Sequence, residues 1–213
     1  MKGITFNNIH SFTEWGLLLT SCEVGSPTIK LEEVEKQGAD GRLDFTDYFG
    51  GVKYDKRTLK FEFAKGDITA NGFLELVSAV QDKLHGQFMQ VVLDDDTDYC
   101  YKGRVKVNDF SCIRGIGKVN VEVEAEPYKL KKQLTTVIKA VTGTASITLT
   151  NSRKPVVPQI TTTSSMTISY NGSVWAVGAG TSKIPELQLE EGNNVLTVTG
   201  TGNITFEYQE GKL

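Results

Sequence analysis

The 213-residue sequence contains little of the material from which metal centres and catalytic nucleophiles are built. It has three cysteines, two histidines and three methionines. Cys22, Cys100 and Cys112 are odd in number, which excludes a fully paired disulfide framework, and they lack the paired spacing of zinc sites. We therefore interpret these cysteines, together with His10 and His85, as core or surface residues and helix caps rather than catalytic or metal-binding groups.

Long apolar runs and excess positive charge are also missing. No run approaches the roughly 18 residues needed to span a bilayer, and residues 1–20 lack the basic start and continuous apolar stretch of a signal peptide. We expect no association with a membrane. The net charge of −3 argues against a protein whose affinity comes from neutralising phosphates.

The two ends of the chain differ in composition. Residues 1–133 hold 18 of the 23 basic and 21 of the 26 acidic residues, so the whole net charge lies there. Residues 134–213 are rich in Thr, Ser, Gly, Val and Ile. This shift, together with Pro127 at the end of a strand pattern, predicts two domains, 1–130 and 131–213.

The first part is predicted to be mostly strands. Apolar and polar residues alternate over 57–63, 99–107 and 118–126, and Phe88 to Leu93 is nearly all apolar. The polar residues of 99–107 are mainly basic and those of 118–126 mainly acidic. Such faces suit neighbouring antiparallel strands, because opposite charges then lie opposite each other.

One helix is predicted within 72–85, with an apolar stripe that should lie on a sheet. Asn71 is a plausible N-cap and Gly86 a plausible end. The three-to-four spacing of the stripe is formed by Phe73, Leu76, Val77, Val80 and Leu84.

The second part is predicted to be all β. Met166–Tyr170 leads into Asn171-Gly172, the preferred pair for a tight hairpin, and 174–177 forms the return strand. Further turns are predicted at 191–194 and 200–203, followed by a last strand at 204–208. Short strands at regular spacing indicate a β-sandwich or jelly roll, so the fold class is mainly β.

The sharpest charge cluster consists of Asp94, Asp95, Asp96 and Asp98. One reading is a calcium loop, since hard cations prefer carboxylate oxygens, but the spacing of an EF-hand is not met. The other reading is a solvated hairpin turn between two strands.

Two further features have ordinary explanations. The glycines of 115–117 precede a strand rather than a helix, so they indicate a hairpin turn and not a dinucleotide loop. An exposed Trp175 could stack on a sugar, although a Trp after a hairpin turn is usually a core residue. We therefore predict no catalytic, cofactor-binding or metal-binding residues, no cofactor and no enzymatic activity.

Several motifs, in their order along the chain, resemble the distal tail protein family of long-tailed (siphovirus-type) bacteriophages. These are Ile9-His10-Ser11-Phe12, Trp15-Gly16-Leu17-Leu18-Leu19-Thr20-Ser21, Pro27, Gly38-Ala39-Asp40-Gly41-Arg42-Leu43-Asp44, the strand 57–63, the helix 72–85, Tyr99-Cys100-Tyr101-Lys102-Gly103-Arg104, Ala125-Glu126-Pro127-Tyr128 and 187–213. In the fourth motif Gln37 stands where the family usually has proline.

The resemblance implies a structural virion protein at the tail tip, assembled in the cytoplasm of the bacterial host. Six identical copies would form a ring through their N-terminal domains, with smaller galectin-like C-terminal domains outside. The ring would connect the tail tube protein to tail-tip or baseplate proteins, and DNA would pass through it without specific binding.

Three hypotheses follow. Acidic or neutral residues of the N-terminal part face the channel, because a basic lining would hold DNA. Segments 28–37 and 45–56 join neighbouring copies, unless they are ordinary surface loops. The alternative function is a carbohydrate-binding β-sandwich module that uses Trp175.

Overall fold

The computed structural model of the chain describes residues 2–38, 40–48 and 50–213. It is mainly β, with two helices among the described residues, and the predicted fold class is confirmed at that level. The chain divides into two compact units, Met1–Lys129 and Leu130–Leu213. Neither helix is long and apolar enough to cross a bilayer.

The first unit contains eleven strands and both helices among its described residues. In chain order these are β1 (Ile4–Phe6), β2 (Ile9–His10), α1 (Ser11–Trp15), β3 (Leu18–Val24), β4 (Ile29–Lys30), β5 (Glu33–Glu35), β6 (Arg42–Asp44), β7 (Lys53–Tyr54), β8 (Arg57–Lys65), α2 (Ala70–Leu84), β9 (Phe88–Leu93), β10 (Asp96–Ile113) and β11 (Ile116–Ala125).

Seven of these strands form one antiparallel sheet in the order β2-β1-β9-β10-β11-β8-β3. The core of the unit lies on one face of this sheet, where the alternating apolar residues of β8 and β11 meet α2. The remaining four strands form two short ribbons, β4 with β7 and β5 with β6, between β3 and β8.

Helix α2 is amphipathic as predicted, but it begins earlier. Four residues of its stripe, Phe73, Val77, Val80 and Leu84, are buried against the sheet. The predicted N-cap is wrong, because Asn71 lies inside the first turn. The cap is Thr69, whose hydroxyl accepts a hydrogen bond from the N–H of Gly72 at 3.2 Å.

The short helix α1 was not predicted. His10 caps its start, and the buried Trp15 and a left-handed Gly16 close it. Five residues are too few to show a helical period, so the local capping groups are what specify this turn.

The second unit contains the remaining strands, of which β12 begins at the unit boundary. They are β12 (Lys129–Lys131), β13 (Thr135–Asn151), β14 (Gln159–Thr162), β15 (Met166–Tyr170), β16 (Ser173–Val177), β17 (Gly180–Lys183), β18 (Gly192–Tyr208) and β19 (Gly211–Lys212).

Strand β18 is the centre of a six-stranded sheet. Its length shows that two predicted turns are wrong. It runs unbroken from 192 to 208 and pairs with β13 over its whole length, so there is no reversal at 191–194 or 200–203. At Gly200 and Gly202 φ is +154° and +140°, and a Cβ on either would lie within 3 Å of Met166, Thr163 or Ser164. These glycines let the strand pass close to its neighbours rather than turn back.

The two halves of β18 bury side chains in one core cluster, which also includes residues of β13, β14 and β15. One sheet therefore buries side chains from both halves of its longest strand in this core, with 17-residue strands in place of the short ones expected. The predicted hairpin at Asn171-Gly172 is confirmed: Ser169 pairs with Val174, and φ is positive at both turn residues.

Candidate interaction surfaces

The acidic cluster forms a hairpin turn, as one of its two readings predicted. Asp94 and Asp95 make the turn between β9 and β10. Asp95 pairs with Lys2 at 2.7 Å, and Asp96 pairs with Lys129 at 2.7 Å. Within the described part of the chain, no three His, Cys, Asp or Glu side chains are grouped to hold a metal ion.

His10 ties the start of the chain to this turn. Its Nδ1 accepts the N–H of Thr13 at 3.2 Å, which leaves the proton on Nε2, 3.2 Å from Oδ2 of Asp94. The same carboxylate oxygen accepts the N–H of Gly3 at 2.7 Å. These bonds hold α1 and the N-terminal strand in place, which is a structural role.

His85 also has a structural role, at the C-terminal cap of α2. Its Nδ1 accepts the N–H of Val107 at 3.1 Å, just before a register shift in β10. The side chain thus supports a strand irregularity, where an unpaired backbone donor would otherwise be costly.

The three cysteines form no disulfide with one another. Cys100 is buried and Cys112 is half-buried against the core. Burial raises the pKa of the Cys22 thiol, which is the opposite of what activates a nucleophilic cysteine.

Trp175 is half-buried and packs against the core of the second unit, opposite Ile168. This position in strand 173–177 fits a sheet residue at the margin of the core.

The sheet of the first unit turns a charged face away from the core, which we call the polar face. Glu23, Lys60, Glu122 and Lys106 lie side by side across β3, β8, β11 and β10, so the sign alternates from strand to strand. The expected pairing of a basic with an acidic strand is confirmed, and Lys106 is hydrogen-bonded to Glu124.

The charges of the polar face neutralise one another locally. The hydrogen bond from Lys106 lowers the pKa of the Glu124 carboxyl, and the same bond raises the pKa of Lys106. Lys118 lies 2.7 Å from Glu62 in a similar pair. Exposed pairs of this kind add little stability, but they leave a surface without an extended positive field.

The margins of this sheet are unlike. On one side β3 pairs with β8 only, apart from a hydrogen bond from the N–H of Leu19 to the carbonyl of Lys2 at 3.3 Å. Beyond that bond, no strand of the described chain pairs with the outer edge of 20–24. The other side ends in the two-residue strand β2.

A long ribbon, which we call the arm, joins β3 to β8 and comprises residues 25–56. Ala39 of the glycine-rich motif and Phe49 of the segment 45–56 lie outside the described residues. The arm contains the paired strands β4–β7 and β5–β6. Six large apolar side chains among its described residues are exposed, namely Ile29, Leu31, Val34, Leu43, Phe45 and Tyr48.

The hairpin joining β10 to β11 carries a second exposed apolar group, which we call the hairpin tip. Ile113 and Ile116 pair across the turn and are 67% and 53% exposed. Phe110 is also exposed and contacts Phe73 of α2. The alternation of apolar and polar residues could not have identified this group. It predicts which residues share a face of a strand, but not whether that face is buried or exposed.

The comparisons with known proteins concern the fold. The chain is similar to the Dit protein (gp 19.1) of phage SPP1, a hub of the adsorption apparatus in phages that infect Gram-positive bacteria. The TM-score is 0.71 at 16% identity over 100% of both chains. The expected resemblance to a distal tail protein is therefore confirmed as a likeness of fold.

A second match, to the phage p2 baseplate in its activated conformation with Sr, has a TM-score of 0.43 at 6% identity, over 98% of each chain, and carries no argument. No family model and no curated protein matches the sequence.

Proposed function

We propose that this chain is a distal tail protein of a long-tailed phage, a structural part of the virion at the tail tip that carries out no catalytic step. The observation that carries the proposal is the likeness of fold to SPP1 Dit over the full length of both chains. The histidines and the acidic cluster have structural explanations in hydrogen bonds and ion pairs, which agrees with this proposal.

In this proposal six copies form a closed ring through residues 1–130. A closed ring joins each copy to the next head to tail, so every copy needs two different contact sides. We assign them to the outer edge of β3 and the outer edge of β2, which end the strand order of the first sheet. Unpaired strand edges readily accept a strand from another chain.

The polar face would line the channel of this ring. DNA is held by proteins that replace its counterions with lysines and arginines. On the polar face each basic side chain lies beside an acidic one, as in the row from Glu23 to Lys106. DNA would therefore slide past without being gripped.

The second unit, residues 131–213, would be the galectin-like domain outside the ring. Its strands bury their apolar side chains in one core cluster, as a β-rich domain of this kind requires. We do not propose carbohydrate binding, since the half-buried Trp175 already has a packing role against the core.

The ring would connect the tail tube protein with tail-tip or baseplate proteins. The hairpin tip lies at the end of the strands rather than at an edge, because Ile116 follows the turn at one end of β11. It suits contact with an adjoining tail protein better than with a neighbour in the ring.

The mass of the purified chain in solution tests the proposal. Six copies of a 23.4 kDa chain give about 140 kDa, which light scattering or native mass spectrometry would measure. We expect this species at high protein concentration. A chain that remains monomeric at the highest attainable concentration would contradict the ring.

A further inference from the structure

Two asparagines of the chain are followed by glycine, and the fold places them in different surroundings. Asn71-Gly72 lies in the first turn of α2, whereas Asn171-Gly172 forms the turn between β15 and β16. Both asparagines are exposed. An asparagine before glycine is prone to lose its side-chain amide, because the next backbone nitrogen can attack the amide carbon and glycine has no Cβ to hinder it.

The nitrogen of Gly72 is held in place by the helix start. Its N–H donates to the hydroxyl of Thr69 at 3.2 Å, and the N–H of Phe73 donates to the carbonyl of Thr69 at 2.9 Å. A Cβ at Gly72 would lie 3.6 Å from Cγ1 of Ile68, and the Phe73 side chain is buried in the core of the first unit. Attack by this nitrogen would therefore require the first turn of α2 to unwind.

The nitrogen of Gly172 is free of such constraints. φ is 49° at Asn171 and 80° at Gly172, as in a type I′ turn, and Tyr170 pairs with Ser173 across it. In the part of the chain that the structure describes, no hydrogen bond engages the N–H of Gly172 or the side chain of Asn171. No atom lies within 4 Å of a Cβ at Gly172.

The hairpin that carries this turn can also open locally. Strand β16 pairs with β15 only, so it is an edge of the second sheet. Val174, beside the turn, is 63% exposed, and the fully buried side chain of β16 is Val177 at its far end. Because such margins open at a small fraction of the free energy of global unfolding, Asn171 can reach the backbone angles that attack requires.

We infer that Asn171 is a site of spontaneous deamidation. The deprotonated nitrogen of Gly172 forms a bond to Cγ of Asn171, the bond from Cγ to Nδ2 breaks, and Nδ2 leaves as ammonia with protons from the solvent. Water then opens the resulting cyclic imide at either of its two carbonyls. The net reaction consumes one water, releases one ammonia and leaves aspartate or isoaspartate, and nothing is oxidised or reduced.

The two products differ in their effect on the hairpin. Aspartate keeps the main chain unchanged and, before glycine, suits the same type I′ turn. Isoaspartate adds one carbon atom to the main chain, so the turn no longer matches the pairing of Tyr170 with Ser173. Either product adds one negative charge to residues 134–213, which hold five basic and five acidic residues.

The test compares the two asparagines within one sample. The intact chain is kept in mildly alkaline buffer, digested at acid pH, and its deamidated peptides are counted by mass spectrometry. We expect Asn171 to react at least tenfold faster than Asn71 in the folded protein, since only the latter needs a helix to unwind. In urea the fold is lost and the sequence is kept, so the two rates should agree within about threefold. Folded protein in which Asn71 reacts as fast as Asn171 would overturn the inference.

Isoelectric focusing of the intact protein supplies a second measurement. The wild-type chain should accumulate a species with one additional negative charge. The variant Asn171→Asp carries that charge from the start and should form a further acidic species at least tenfold more slowly. Acidic species that accumulate equally fast in both proteins would place the reaction elsewhere and overturn the assignment to Asn171.

Discussion

The carboxyl group of Glu210 has a pKa well below its ordinary value. Burial alone would raise the pKa of Glu210, but hydrogen bonds from Thr135, Ser152 and Lys131 and the charge of Lys131 together lower it to about 2. The carboxylate joins the end of the chain to the start of β13 and to the segment after it. It is thus a structural node of the second unit.

Because its folded-state pKa lies below the ordinary value of 4.5, Glu210 stabilises the fold above about pH 4.5 and loses this effect as the pH falls toward 2. Glu210→Gln should lower the free energy of unfolding by about 1–3 kcal/mol at pH 7. Urea unfolding of both proteins at several pH values measures the difference, which should shrink below pH 4.5.

The matched control is Glu191→Gln, in an exposed pair with Arg153 at 2.9 Å. Its effect should stay below about 0.5 kcal/mol at any pH. A Glu210→Gln difference that does not depend on pH would mean that the charge of this carboxylate contributes nothing.

The start of α2 offers a second comparison at the residue scale. Thr69→Ala removes the hydroxyl that caps Gly72 and should cost about 1 kcal/mol of unfolding free energy. Asn71→Ala replaces a residue inside the helix and should be neutral or slightly stabilising, since Ala is the better helix former. A loss from Asn71→Ala in urea unfolding, with none from Thr69→Ala, would contradict this capping.

At the scale of elements, the packing of α2 on β11 depends on a glycine. A Cβ at Gly117 would lie 2.3 Å from ring carbons of Phe73, which is fully buried and has no room to move. Gly117→Ala should therefore destabilise the protein by about 1–3 kcal/mol, the usual range for an overpacked core. Thermal unfolding would measure this.

Gly66→Ala is the control for that change. No atom lies within 4 Å of a Cβ at Gly66, and its backbone is not left-handed, so the substitution should be nearly neutral. A Gly117→Ala protein as stable as this control would show that α2 can shift away from the sheet without cost.

Elements with a strong period were predictable, and those that depend on long-range contacts were not. The alternation in 57–63 and 118–126 predicts strands that are found as β8 and β11. The opposite charges of 99–107 and 118–126 also predicted that β10 and β11 are neighbours. Gly200 and Gly202 resemble a turn in sequence, but pairing with β13 keeps them inside one strand. Pairing of this kind joins residues some 60 positions apart and leaves no local signal.

The candidate surfaces also include features that the sequence could predict and features that it could not. The charges of the polar face could be predicted from the strand pattern, whereas the exposure of Val34 and Leu43 could not, because weak patterns fit both a ribbon and a loop. The segments 28–37 and 45–56 were candidates for an interface, and that role remains a proposal.

At the scale of the whole molecule, the charge balance of the polar face should control how an assembled ring treats DNA. Glu62→Lys with Glu122→Lys reverses two acidic positions and moves the net charge of each chain from −3 to +1. Lysines that no longer have acidic neighbours can replace DNA counterions. We expect binding to a DNA duplex to tighten at least tenfold, with a steeper salt dependence.

Glu190→Lys with Glu191→Lys gives the same net charge but changes the second unit. If the polar face lines the channel, these substitutions should tighten binding to the DNA duplex less than threefold. Fluorescence titration of a labelled duplex with both double variants would measure the difference. Equal gains from both double variants would mean that net charge alone, and not its position, determines DNA binding.

The most direct test of the account is an electron cryomicroscopy reconstruction of the assembled chain. The account predicts a closed ring of six copies, with Glu62, Glu122 and Lys106 facing the channel and residues 131–213 outside. A different symmetry, an open filament, or a channel lined continuously by lysine and arginine would contradict it.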